Sequence, residues 1–132
     1  MKINAIDLFC GIGGLTYGVQ KAGINVVAGF DFEASCQFAY EKNNNAIFVH
    51  RDIKELKDDE LSSYFPEDTD IKVMIGCAPC QPFSAYSHRY KNSESKKEKW
   101  ICWINFGKQI KLVKPDIVSM ENVPQLVKRT YI

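Results

Sequence analysis

Five short apolar runs, at 3–9, 25–30, 46–49, 72–76 and 116–120, each end abruptly in a residue that a strand interior would not choose. After the first comes Cys10-Gly11-Ile12-Gly13-Gly14; the second ends at Asp31, the third runs out at Arg51-Asp52, the fourth enters Cys77-Ala78-Pro79-Cys80, and the fifth Glu121-Asn122. Between the first two runs Leu15, Val19 and Ala22 recur at helical spacing before Gly23, a natural C-cap. A second helix is expected over 33–43. A later helix carries Trp103, Phe106, Ile110 and Val113 and must stop before Pro115. Residues 54–70 are polar and helix-leaning, and 84–99 lack apolar periodicity and read as a mobile loop. Strands that alternate with helices predict an α/β domain with a largely parallel sheet. In such a sheet the carboxyl ends of the strands share one edge, where ligands bind. Five separate segments therefore bring Gly11 to Gly14, Asp31, Asp52, Cys80 and Glu121 to one crevice.

A chain of 132 residues forms one domain at most, and 45% hydrophobic with 25% charged residues is ordinary for a soluble globular protein. No apolar run approaches the ~18 residues of a membrane span. The first apolar segment is broken at Asp7, too early for a signal peptide, so the expected location is the cytoplasm. The five cysteines, Cys10, Cys36, Cys77, Cys80 and Cys102, are odd in number and irregular in spacing, which predicts free thiols. The formal net charge is only +1. A domain that gripped nucleic acid unaided would carry a clear basic surplus, so any such grip comes largely from elsewhere.

The turn after the first strand lets the backbone fold tightly and lets a ligand approach where a Cβ would collide. Asp31 follows about 20 residues on, the usual distance for a carboxylate that accepts ribose hydroxyls. The dinucleotide fingerprint fits poorly, because its third glycine would fall at Thr16, and the turn has no lysine for phosphates. A nucleoside with ribose hydroxyls but no pyrophosphate suits it better, and S-adenosylmethionine is the obvious candidate. A glycine turn alone is common punctuation; Asp31 and Asp52 at successive strand ends give it chemical meaning.

Cys77-x-x-Cys80 reads on its spacing as a redox pair, half of a zinc site, or a nucleophile on a Pro-rich turn. Zinc lacks a second cysteine pair, and His50 and His88 have no ligand spacing. Thioredoxin-like pairs open a helix, whereas Pro82 and the polar stretch beyond argue for a loop.

Asp7-Leu8-Phe9-Cys10-Gly11-Ile12-Gly13-Gly14, then Gly76-Cys77-Ala78-Pro79-Cys80-Gln81-Pro82-Phe83-Ser84, then Met120-Glu121-Asn122-Val123-Pro124 resemble the C5-cytosine DNA methyltransferases. The three motifs stand in that family's order. Pro-Cys-Gln-Pro-Phe-Ser is the specific one; the glycine turn is less so and Glu-Asn-Val least. The resemblance implies a Rossmann-like methyltransferase sheet with S-adenosylmethionine as cofactor and a flipped cytosine of double-stranded DNA as substrate, as in restriction-modification. By the same likeness Cys80, held by Pro79 and followed by Gln81, is the nucleophile that adds to C6. Glu121 engages N3 and the exocyclic amine, and Asn122 fixes the backbone around it. Phe9 packs on the adenine with Phe32 as a second bulky contact, Gly11, Gly13 and Gly14 form the cofactor turn, Asp31 takes the ribose hydroxyls, and Asp52 with Ile53 meets the adenine edge. Arg89, Lys91, Lys96, Lys97 and Lys99 match a catalytic loop that closes over DNA, although Ala85-Tyr86-Ser87-His88 lacks the glycine many members have there.

The family's later motifs, its target-recognition region and its sixth and seventh strands do not occur in these 132 residues. The expectation is an N-terminal part of the catalytic domain, with an incomplete sheet of five strands whose fifth is an apolar edge. A complementing subunit or C-terminal segment is then expected, and the chain alone is expected to be inactive. Two other readings stand beside it: an inactive cofactor-binding or interaction module, and a cytosine-C5 methyltransferase acting on tRNA.

Overall fold

The computed structural model describes residues 1–79 and 93–122, of which 93–99 are described by backbone alone. The strands are β1 (Ile3–Leu8), β2 (Asn25–Asp31), β3 (Ile47–His50), β4 (Ile71–Gly76) and β5 (Ile117–Met120). All pair in parallel, in the order β3-β2-β1-β4-β5. The chain winds outward from β1 to β3, then returns to the other side of β1 for β4 and β5. The switch lies between β1 and β4, the place where an open α/β sheet leaves a crevice at its carboxyl edge.

Alternation along β1 explains the two layers. Ile6 and Leu8 face a core shared with Phe30, Met74, Leu61, Phe65, Phe106 and Val113. Ala5 faces the other layer, with Val26, Val73, Ile75 and the α1 residues Leu15 and Val19. Helices α1 (Gly14–Lys21) and α2 (Gln37–Asn43) belong to the first half of the winding; α3 (Glu60–Ser63) and α4 (Ser93–Val113) follow it. At the end of α1, Gly23 has φ +89° and Ile24 N–H donates to the Val19 carbonyl at 3.3 Å, as the predicted C-cap requires. Lys114 takes φ 50° just after α4, and Pro115 ends the helix there.

Three expectations change. Residues 93–99, read as part of a loop, are helical and begin α4. Their Glu and Lys content favours a helix, but a turn polar on every side carries no apolar period to reveal it. The helix expected over 33–43 is divided: Glu33 accepts the Ser35 N–H at 3.2 Å and caps a 3-10 turn (Ala34–Cys36) before α2 starts. The helix-leaning stretch 54–70 holds only a 3-10 turn (Ile53–Glu55) and the four-residue α3. Cys80, Gln81, the segment 82–92 with Arg89 and Lys91, Val123 and Pro124 lie outside the described residues, as do the side chains of Lys96, Lys97 and Lys99. No described helix is long and apolar enough to cross a membrane.

Candidate active site at the carboxyl edge of the sheet

The turn after β1 is built from left-handed backbone: φ is 60° at Phe9, 51° at Gly11 and 89° at Gly13. Asp31 braces it from the next strand. Its Oδ2 accepts the Gly11 N–H at 2.8 Å and its Oδ1 the Glu33 N–H at 2.9 Å. One carboxylate thus pins the turns after β1 and β2, and each oxygen keeps a lone pair for a further donor. Gly13 is required by packing: a Cβ there would lie 2.1 Å from Asn44 Nδ2 and 2.8 Å from Tyr40 Cδ2.

Beside this turn opens a cleft of about 340 Å³, lined by Leu8, Phe9, Phe30, Asp31, Phe32, Arg51, Asp52, Ile53, Lys54, Pro79 and Cys102. Phe9, Asp31, Phe32, Asp52 and Ile53, all assigned to the cofactor from sequence, share its wall. Gly11 reaches it only through Asp31, and Gly13 and Gly14 are not among the lining residues. Asp52 Oδ1 accepts the Lys54 N–H at 2.9 Å, which caps the 3-10 turn and sets Ile53 into the wall. Arg51, a basic residue that sequence reasoning passed over, is committed to Glu60 by two hydrogen bonds of 2.9 Å. The Arg51 guanidinium holds the Glu60 carboxyl below its ordinary range.

Beneath the turn runs a buried polar chain. Thr16 Oγ1 donates to Asp7 Oδ2 at 2.7 Å and lies 3.1 Å from the Tyr40 hydroxyl. Burial pushes the Asp7 carboxyl up to about 7, opposed by the Thr16 hydrogen bonds and reinforced by Asp31. Burial, with Asp7 and Asp31 nearby, also raises the Cys10 thiol and disfavours its thiolate.

The second half of the site joins the ends of β4 and β5. Cys77 N–H donates to the Leu8 carbonyl at 3.3 Å, and Glu121 N–H to the Gly76 carbonyl at 3.0 Å. A Cβ at Gly76 would meet the Leu8 carbonyl at 2.9 Å, so only glycine lets the strands lie this close. Asn122 Nδ2 donates to the Ala78 carbonyl at 2.9 Å, and the Cys77 thiol donates to Glu121 Oε2 at 2.8 Å. Glu121 and Asn122 are therefore tied to the turn that leads into Pro79, and Pro79 stands on the cleft wall. The Cys77 contact has no signal in sequence spacing, because its partners are 44 residues apart.

The chain is 43% identical over 121 residues to the type II methylase M.HgiDII of Herpetosiphon aurantiacus, covering 92% of this chain and 33% of that protein. It is 30% identical over 122 residues to the type II methyltransferase M.DdeI of Desulfomicrobium norvegicum, covering 92% and 28%. The chain thus spans about a third of the length of these relatives. A crystal structure of a prophage-encoded E. coli protein, described as a DNA modification methyltransferase, superposes with a TM-score of 0.76 at 25% identity, over 98% of this chain and 34% of that one. The S. pombe Dnmt2 methyltransferase shares the fold, with a TM-score of 0.68 at 22% identity over 96% and 36%. The family model for C-5 cytosine-specific DNA methylases matches residues 3–131, and the chain belongs to that family.

Proposed function

We propose that this chain is the catalytic and cofactor-binding portion of an S-adenosylmethionine-dependent DNA (cytosine-5) methyltransferase. The observation that carries the reading is the position of Pro79. The residue immediately before Cys80 lies on the wall of the cleft that also holds Phe9, Asp31, Phe32, Asp52 and Ile53.

The residues fit such a cofactor. Asp31 has lone pairs left for two ribose hydroxyls, Phe9, Phe32 and Ile53 offer apolar surface for a purine, and Asp52 supplies an acceptor at its edge. When bound, S-adenosylmethionine supplies an electrophilic methyl group. C5 of cytosine is too poor a nucleophile to take it unaided. The Cys80 thiolate would add to C6 and move an electron pair toward C5, making C5 nucleophilic enough to take the methyl group as the methyl–sulfur bond of the sulfonium breaks and leaves a neutral thioether. Loss of the C5 proton then expels the thiolate and restores the ring. Glu121 hydrogen-bonds N3 and the exocyclic amine, which stabilises the charge that develops there. Asn122 holds the Ala78 carbonyl and so the backbone that carries the nucleophile.

The test is covalent trapping on 5-fluorocytosine DNA, whose fluorine blocks the final proton loss. With this chain joined to the C-terminal part of M.HgiDII, a denaturation-stable adduct is expected, and Cys80→Ala abolishes it. Failure to form the adduct, or an adduct that survives Cys80→Ala, overturns the reading. The 132-residue chain alone is expected to give no turnover, since its relatives use a chain about three times as long. Methyl transfer by the isolated chain would refute that part.

A further inference from the structure

We propose that Cys77 is a positioning residue for Glu121, an inference that rests on the methyltransferase reading above. The thiol donates to Glu121 Oε2 at 2.8 Å, and the backbone of the same two segments is already pinned, Glu121 N–H to Gly76 and Asn122 Nδ2 to Ala78. The two backbone links fix the main chain of Glu121, but its exposed side chain has rotatable bonds of its own. The Cys77 hydrogen bond removes that freedom by holding one carboxylate oxygen. Oε1, which has no partner among the described residues, is then presented in a fixed direction for the base. A thiol suits this role because a neutral donor orients the carboxylate without cancelling its charge, as a lysine or arginine would. Cys77 precedes Cys80 by three residues, so the residue that orients the carboxylate and the nucleophile come from one short segment.

Two measurements test this. The first uses the chain as it is, in a Cys80→Ala background so that Cys77 is the one thiol of its peptide. Iodoacetamide labelling of Cys77 is followed by peptide mass spectrometry, with and without Glu121→Gln. A neighbouring carboxylate opposes thiolate formation, so Glu121→Gln is expected to speed labelling by about threefold or more. An unchanged rate overturns the contact. The second uses the chain completed with the C-terminal part of M.HgiDII. Cys77→Ala is expected to lower kcat about fivefold with KM for DNA nearly unchanged, and Cys77→Ser, which keeps a donor, recovers most of it. Full activity in Cys77→Ala, or a Cys77→Ser as slow as Cys77→Ala, overturns the positioning role. A completed wild-type chain with no Cys80-dependent adduct sinks the methyltransferase reading instead, and the labelling experiment still decides the contact.

Discussion

Asp7 shows what one side chain can impose on this protein. It has no solvent exposure, Oδ2 takes the Thr16 hydroxyl, and Oδ1 has no hydrogen-bond partner among the described residues. Burial lifts its carboxyl from 3.8 to about 7. The folded chain therefore binds this proton more tightly than the unfolded chain does. Raising the pH from about 4 toward 7 removes stability, and above 7 both states are ionised and the contribution is flat. The loss over the whole window is about 4 kcal/mol. Urea unfolding near pH 5 and near pH 8 should register it in the wild type, and Asp7→Asn should remove most of the difference. A variant with the same pH slope as the wild type would mean that Asp7 ionises freely.

At the scale of elements, the β1–α1 turn is held from the side by α2. Tyr40, fully buried in α2, packs against Gly13, and its ring leaves no room for a Cβ at Gly29 in β2. The glycines of the turn therefore differ in kind. Gly13→Ala combines a backbone at φ +89° with a collision against Asn44 and Tyr40, and is expected to cost about 2–4 kcal/mol. Gly14→Ala meets nothing within 4 Å at the start of α1, and should change stability by less than about 1 kcal/mol. Denaturant midpoints of the two variants check the contrast, and equal losses would contradict it. Sequence reading grouped these glycines together as a cofactor turn. Nothing in a string of glycines tells one shaped by an internal neighbour from one shaped by a ligand.

For the molecule as a whole, the described sheet ends at β5, which pairs with β4 on one side only. Ile117 and Val118 are 49% and 40% exposed, so this strand shows apolar side chains and open ladder groups together. The 132-residue chain is expected to self-associate through this edge. Sedimentation should show a concentration-dependent shift toward larger species, which Val118→Lys suppresses. A wild-type chain that stays monomeric at high concentration would count against it.

The strand–helix alternation, the parallel sheet and most of the cleft wall were legible in the sequence. Apolar runs of strand length, helical periods and capping glycines are local signals, and the parallel sheet carries residues at the strand ends, such as Asp31 and Asp52, to one edge. The first turns of α4 were not legible, because a helix polar all round has no apolar stripe. Only the tertiary structure decided that Tyr40 dictates Gly13, that Asp7 is sealed beneath the turn, and that Cys77 meets Glu121. Each of these depends on a neighbour far away in the chain, and burial, collision and hydrogen bonding arise only when the fold has brought such neighbours together.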